Sequence, residues 1–133
     1  MRSLALRVTS ELWVKAYLRT AALNLCPGVV VRRGDAAAGA IFIKVLRSDR
    51  TACLYGPAPA GSENSGGDRS WVPWLKDLPA PEARVDEALA QEVGFDRDLW
   101  IVEIESPDGI AFLDGWLLAT GVECTPWGGQ VRV

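Results

Sequence analysis

The sequence has 133 residues, 49% of them hydrophobic, and a formal net charge of −3. It contains no histidine, which excludes Ser-His-Asp and Cys-His catalytic arrangements and histidine-based metal sites. Its three cysteines, Cys26, Cys53 and Cys124, are widely spaced. This spacing predicts free thiols in a reducing cytoplasm rather than a disulfide framework.

The length predicts a single domain over residues 1–133. Within it, the Gly-, Ser- and Pro-rich stretch 58–70 is typical of a mobile loop. The residue pattern of the tail 115–133 does not predict its structure. The N-terminus lacks the apolar core of a secretory signal, and no apolar run approaches the roughly 20 residues of a membrane span. We therefore expect a cytoplasmic protein with no membrane partner.

The first half predicts one helix and three strands. Residues 9–24 form the helix, because Thr9 or Ser10 can cap its first turn and Asn-Leu-Cys-Pro-Gly ends it. Residues 28–34, 40–46 and 51–57 form the strands. Their short connections predict an antiparallel meander of three consecutive strands.

The strand 40–46 is apolar on both faces, apart from one lysine. It should therefore be an interior strand that is covered on both sides, with Lys44 near a partner or at the edge of the cover. Three of its side chains should be buried in the core: Ile41, Ile43 and Val45.

The second half predicts a short edge strand at 71–75, where Pro73 cannot donate to a ladder. A second helix follows at 79–95, and a strand at 98–109 has alternate residues facing the core. Residues 110–121 are ambiguous between a strand and a short helix. The order α-β-β-β-(β)-α-β indicates an α+β fold: an antiparallel-rich sheet of about four to six strands with two main helices on one face.

The charges are unevenly distributed, with a net of +6 over residues 1–55 and −9 over residues 56–133. We expect the two halves to neutralise each other, and the alternative is a basic face for an acidic partner. The basic segment comprises Arg32, Arg33, Lys44, Arg47 and Arg50. Its expected counter-charges lie on the second helix (Glu82, Asp86, Glu87 and Glu92) and on the last strand (Glu103 and Glu105), whose face we expect to be solvated.

Six tryptophans are many for this length. Trp13 and Trp100 fit core positions, whereas four others lie in irregular or Pro- and Gly-rich segments, where they either cover the end of the sheet or bind a partner. These four are Trp71, Trp74, Trp116 and Trp127. The candidate binding residues are therefore Arg32, Arg33, Arg47, Arg50, Trp71 and Trp74. No catalytic residue, metal ligand or cofactor is expected.

The tripeptide Arg33-Gly34-Asp35 is interpreted as a charged turn between strands rather than an adhesion motif. A nuclease with a metal site is an alternative, by analogy with the element order of restriction endonucleases. Glu11, Asp35 and Lys44 would be its candidate residues. The third strand, Thr-Ala-Cys-Leu-Tyr, lacks the Glu-x-Lys that such sites carry.

Three segments carry a resemblance to a known family: "LWVKAYLR" (12–19), "RRGDAAAGAIFIKV" (32–45) and "DLWIVEIES" (98–106). Together they resemble the bacterial domain of unknown function 1491 family, over roughly residues 3–113. The family has no assigned activity, so the resemblance implies a small cytosolic domain and transfers no site residues. We interpret the chain as a non-enzymatic protein-interaction module, with an unknown protein or a second copy as partner. The alternative is a nuclease-like hydrolase or a nucleic-acid-binding protein, although the low pI makes nucleic acid a poor fit.

Overall fold

The computed structural model describes residues 8–59 and 69–113, together with the backbone of residues 122–124 and 130–132. The helices are α1 (Ser10–Leu23) and α2 (Glu82–Phe95). The strands are β1 (Gly28–Arg32), β2 (Ile41–Leu46), β3 (Thr51–Pro57), β4 (Trp71–Pro73), β5 (Ala80–Pro81), β6 (Trp100–Glu105), β7 (Val122–Cys124) and β8 (Gln130–Arg132). The α+β fold and the predicted order of its elements are confirmed.

The main sheet has the order β1-β6-β2-β3-β4, with β5 also pairing with β3. The predicted meander is wrong for β1, because β6 lies between β1 and β2. β6 runs parallel to β2, and the other pairs in this sheet are antiparallel. Entry of β6 beside β2 requires a long crossover, which α2 supplies. β7 and β8 pair with each other in a separate antiparallel hairpin.

α1 begins and ends where its caps predict. The Thr9 hydroxyl accepts a hydrogen bond from the Leu12 N–H, and Asn24 is the C-cap. One stripe of α1 is buried, consisting of Ser10, Trp13, Val14, Tyr17 and Ala21. Leu12 lies off that stripe and is 55% exposed, so its apolar character did not indicate core packing.

The two helices cover opposite faces of the sheet. Lys44 of β2 reaches α2, whereas the space above Gly28 is filled by Leu18 of α1 and Ile104 of β6. Ile104 pairs with Val45, which neighbours Lys44 and therefore points the other way. The expectation that both helices lie on one face is wrong, since the interior strands are apolar on both faces and each face needs a cover.

The core lies on both sides of β2 and β6. Ile43 and Val45 are fully buried and Ile41 is 1% exposed, as predicted for an interior strand. Trp13 and Trp100 are also buried core residues, as predicted.

The cysteines differ from the expectation of free thiols. Cys26 is free and buried, whereas Cys53 is disulfide-bonded. The prediction is therefore wrong for Cys53, and the cysteines lend no support to a reducing compartment.

Most of the predicted loop 58–70 and of the tail 115–133, including Trp116 and Trp127, lies outside the described residues. At the ends of the loop, the Ala58 N–H donates to the Ser70 carbonyl, which extends the pairing of β3 with β4. Among the described residues, no helix is long and apolar enough to cross a membrane.

Candidate interaction surface

β1 forms an edge of the main sheet and is apolar on its surface. It pairs with β6 alone in the described part of the chain. Three consecutive valines are exposed there: Val29 by 57%, Val30 by 41% and Val31 by 55%. An exposed, apolar edge strand is a template for pairing with another strand. We call Gly28–Arg32 with these valines the β1 edge.

The hydrogen-bond pattern shows which backbone groups of the β1 edge point outward. The Glu105 N–H donates to the Pro27 carbonyl, which makes this pair a hydrogen-bonded pair of the antiparallel ladder. Such pairs alternate with non-bonded ones, so Val29 and Glu103 bond to each other, whereas Gly28 and Val30 turn their N–H and C=O groups away from β6. The β1 edge therefore offers two donors and two acceptors to a further strand.

The β1 edge also carries features that limit its pairing. A bulge between Val30 and Arg32 places both Val31 and Arg32 against a single residue of β6. Pro27 precedes the strand and has no N–H to donate. The open ladder is therefore short, which favours a specific partner over open-ended aggregation.

The sequence did not indicate that the three valines are exposed, because a Val-Val-Val run is typical of a buried strand. The available signal lay in the flanks: a proline before the run and two arginines after it. Proline and charged residues at its ends are typical of an edge strand.

A second apolar surface lies along the outer side of α1. It is a groove of about 860 Å³ lined by Val8, Leu12, Trp13, Ala16, Tyr17, Thr20, Asn24, Ile110 and Phe112. The Tyr17 hydroxyl donates to the Ala111 carbonyl at 2.7 Å, and this hydrogen bond fixes the segment that forms the far wall. Three of its lining residues, Val8, Leu12 and Ile110, are about half exposed.

Lys44 is the centre of a buried charge network. Its ammonium lies 2.7 Å from both Glu82 and Asp86 of α2 and 3.3 Å from Glu103 of β6. Burial by itself lowers the pKa of Lys44, but the hydrogen bonds to Asp86 and Glu82 outweigh it and raise the pKa above its ordinary value. The same hydrogen bond lowers the pKa of Glu82. The raised pKa of Lys44 and the lowered pKa of Glu82 keep this pair charged at neutral pH. The contacts of Lys44 with Glu82 and Asp86 attach α2 to the sheet.

We expected Glu103 to lie on a solvated face, and this expectation is wrong. Its side chain is 24% exposed and pairs with Lys44, whereas Glu105 is exposed. The parallel register places Glu103 beside Lys44, and sequence alone did not show that pairing.

Arg33 is paired within the first half of the chain. It forms an ion pair with Glu11 and lies over the Trp100 ring at 5.1 Å from its centroid. The hydrogen bond from Arg33 lowers the pKa of Glu11. The expected neutralisation by the second half thus holds for Lys44 and not for Arg33.

The other arginines follow a different pattern. Arg32 donates to the Arg97 carbonyl at 2.8 Å. Arg47 is only 6% exposed, and its guanidinium donates a long 3.5 Å hydrogen bond to the Thr51 hydroxyl. Its Nε has no hydrogen-bond partner among residues 8–59 and 69–113. Arg50 is exposed in the turn after β2, with a positive φ of 67°.

The structure does not bring the four candidate arginines together. Arg32 and Arg33 lie where β6 begins, because Arg32 pairs with Ile101. Arg47 and Arg50 follow the end of β2, which runs parallel to β6. The two pairs therefore lie at opposite ends of the six-residue strands, roughly 16–20 Å apart at about 3.3 Å per residue.

The two candidate tryptophans differ from each other. Trp71 is 2% exposed, packs on Trp13 and donates its indole N–H to the Ile41 carbonyl at 3.0 Å. Trp74 is half-buried, meets Phe42 edge-on and donates to Glu92. Trp71 is thus a core residue, and of the two only Trp74 is partly exposed at the surface.

The residues of the nuclease alternative are also separated. The Asp35 carboxylate accepts the Ala38 N–H in the turn before β2, Glu11 is paired with Arg33, and Lys44 faces α2. Within residues 8–59 and 69–113, no group of three or more potential metal-ligating side chains occurs.

The turn interpretation of Arg33-Gly34-Asp35 agrees with the geometry. The Asp35 N–H donates to the Asp98 carbonyl at 2.9 Å. A Cβ on Gly34 would lie 2.2 Å from that same carbonyl oxygen, so glycine is needed for this close approach. The tripeptide is docked against the start of β6.

Comparisons with known proteins agree on one family. The family model described as "Protein of unknown function (DUF1491)" matches residues 8–114. A crystal structure of a DUF1491 family protein from Caulobacter crescentus CB15 is similar, with 32% identity, a TM-score of 0.70 and coverage of 84% of this chain and 98% of that chain. An NMR structure of a DUF1491 family protein from the same organism has 30% identity, a TM-score of 0.71 and coverage of 88% and 100%.

A solution structure of a protein from A. tumefaciens is also similar, with 32% identity, a TM-score of 0.66 and coverage of 76% of this chain and 87% of that chain. None of the curated proteins matches this chain. The matched residues include α1, β1–β6 and α2, and thus both the Lys44 network and the β1 edge. The chain belongs to the DUF1491 family of proteins of unknown function.

Proposed function

We propose that this chain is a non-enzymatic protein-interaction module that binds a strand of a partner polypeptide along the β1 edge. The observation that carries the proposal is an edge strand with outward backbone groups at Gly28 and Val30 and three exposed valines. Strand addition to an open sheet edge gains affinity from main-chain hydrogen bonds and specificity from alternating side-chain contacts.

The geometry defines what a partner strand must supply. It needs two residues whose N–H and C=O groups meet those of Gly28 and Val30, and apolar side chains to cover Val29 and Val31. Each net hydrogen bond contributes about 0.5–1.5 kcal/mol. The short ladder therefore supports reversible binding, with the valines contributing through burial of apolar surface.

The charges support a protein partner more than a nucleic acid. Arg33 and Lys44 form ion pairs with carboxylates, and the remaining candidate arginines lie at opposite ends of the strands β2 and β6. Nucleic-acid binding requires a contiguous basic surface that follows the phosphates.

Site-specific photo-crosslinking in the native host tests the proposal. A crosslinking residue at position 29 should capture another polypeptide, whereas one at position 87, which is 67% exposed on α2, should not. Val30→Pro is the matched variant, because the Val30 N–H points away from β6 and its loss leaves the β1–β6 ladder intact.

The expected result is a crosslink from position 29 that disappears when Val30→Pro is added. Equal capture from positions 29 and 87, or capture that survives Val30→Pro in a folded protein, would show that the β1 edge is not the binding surface.

A further inference from the structure

We infer that the strand bound by the β1 edge is the β1 edge of a second copy of this chain, in an antiparallel pair about a twofold axis. This inference rests on the proposed function and specifies its partner. In one register, β1 is complementary to itself in backbone hydrogen-bonding groups, shape and charge.

The backbone groups define the register. Gly28 and Val30 turn their N–H and C=O groups outward. Pairing Gly28 with Val30 of the second copy, and Val30 with its Gly28, uses all of these groups in four hydrogen bonds. The twofold axis then passes between the two copies of Val29, which form a non-hydrogen-bonded pair with close side chains.

The shapes agree with this register on both faces. On the face of α1, Val30 of the second copy lies beside Gly28, which has no side chain of its own. The space above Gly28 is lined by Leu18 and Ile104, so the incoming valine meets apolar groups. On the face of α2, the two Val29 side chains meet each other and cover apolar surface that is 57% exposed in one chain.

The charges are complementary in the same register. Arg32 pairs with Ile101, whereas Glu105 pairs with Pro27 at the other end of β6. In the paired dimer, Arg32 lies in the same row across the sheet as Pro27 and Glu105 of the second copy. The Cα atoms of Arg32 and of that Glu105 are two strand spacings apart, or about 9.6 Å. Arginine and glutamate side chains together span that distance, which gives two symmetric ion pairs.

No like charges are opposed across the axis, since the facing residues are Gly28, Val29 and Val30. A closed twofold pair also covers the β1 edge of each copy, so a third copy cannot add along this edge.

Cysteine crosslinking tests the register directly. Val29→Cys places two thiols at the axis, where a disulfide can form, and should give a covalent dimer on mild oxidation. Val31→Cys is the matched control: it is equally exposed (55% against 57% for Val29), but it faces Pro27 of the second copy. The expected result is a covalent dimer with Val29→Cys and little or none with Val31→Cys.

Sedimentation equilibrium over a concentration series provides the second measurement. Val30→Pro should weaken dimerisation at least about tenfold, because each dimer loses two N–H donors. Arg32→Glu and Glu105→Arg should each weaken it, and the double variant Arg32→Glu with Glu105→Arg should restore it. Within one chain these residues lie at opposite ends of β6, so restoration reports a contact between copies.

A monomer at all concentrations, or equal crosslinking of the two cysteine variants, would overturn the inference. If the photo-crosslink from position 29 then contains a different polypeptide, the proposed function stands and only the second copy is excluded. If that crosslink is also missing, both are overturned. Circular dichroism of each variant separates loss of pairing from loss of folding.

Discussion

The surroundings of an individual side chain in this protein depend on which face of its strand it occupies. Ile43 and Lys44 are neighbours in β2 and are both buried, yet one lies in an apolar core and the other among three carboxylates. A buried ammonium is tolerated because its partners compensate the loss of hydration. Directly after β2, Arg47 is buried, and its guanidinium donates a long 3.5 Å hydrogen bond to the Thr51 hydroxyl.

Truncation of Ile43 tests the interior position of β2. Ile43 is fully buried, so we expect Ile43→Ala to lower the free energy of unfolding by about 2–5 kcal/mol through lost burial and a residual cavity. Urea unfolding followed by tryptophan fluorescence measures the change. Val29→Ala on the exposed β1 edge is the control and should change stability by under about 0.5 kcal/mol in the monomer. Similar losses for both variants would contradict the burial of β2.

At the scale of elements, α2 is attached to the sheet by charge as well as by apolar packing. Val85, Ala88 and Leu89 form its buried stripe. Glu82 and Asp86 lie one turn apart and reach the same ammonium of Lys44. The helix has no side-chain N-cap, so this contact supports its first turn.

The attachment of α2 gives a prediction for stability against pH. The pKa of Glu82 is lowered in the folded chain, so its contribution is complete above the unfolded-state pKa of about 4.3 and is lost as the pH falls through the folded-state value. The pKa of Lys44 is raised in the folded chain, so its contribution is complete below the unfolded-state pKa of about 10.4 and is lost as the pH rises through the folded-state value. Between these limits the contribution of the Lys44–Glu82 ion pair is constant.

Glu82→Gln should therefore destabilise the chain more at pH 7 than at pH 3, as measured by urea unfolding at a series of pH values. Glu87→Gln is the control, since Glu87 is exposed and its 3.5 Å contact with Arg84 is a surface ion pair. The prediction would be wrong if the difference between Glu82→Gln and the unmodified chain were the same at both pH values.

On the scale of the whole molecule, the uneven charge of the two halves does not produce one basic face. The register places the arginine pairs at opposite ends of β2 and β6, and acidic residues of α2 and β6 lie between them around Lys44. The exposed apolar edge of β1 is the more distinctive surface of the molecule.

This arrangement predicts weak binding to nucleic acids. Labelled RNA or DNA at low salt should show no complex at micromolar protein concentration, as measured by fluorescence anisotropy. Micromolar binding with a steep salt dependence would show that Arg32, Arg33, Arg47 and Arg50 engage phosphates after all. Substitution of these four arginines would then abolish binding, and the protein-interaction proposal would be contradicted.

The positions of the helices and strands followed from the sequence, because caps, turns and side-chain periodicity act over a few residues. Thr9 and Asn24 bound α1 as predicted, and the interior character of β2 followed from apolar residues on both of its faces. The absence of histidine likewise excluded whole classes of chemistry from composition alone, because those sites need an imidazole.

Only the tertiary structure decided where β6 enters the sheet, and most of the candidate surface depends on that placement. Insertion of β6 between β1 and β2 leaves β1 at the edge with its valines exposed, and it brings Glu103 to Lys44. Local patterns do not encode which strands pair, because pairing joins residues far apart in the chain and is settled by how both faces of the whole sheet are covered.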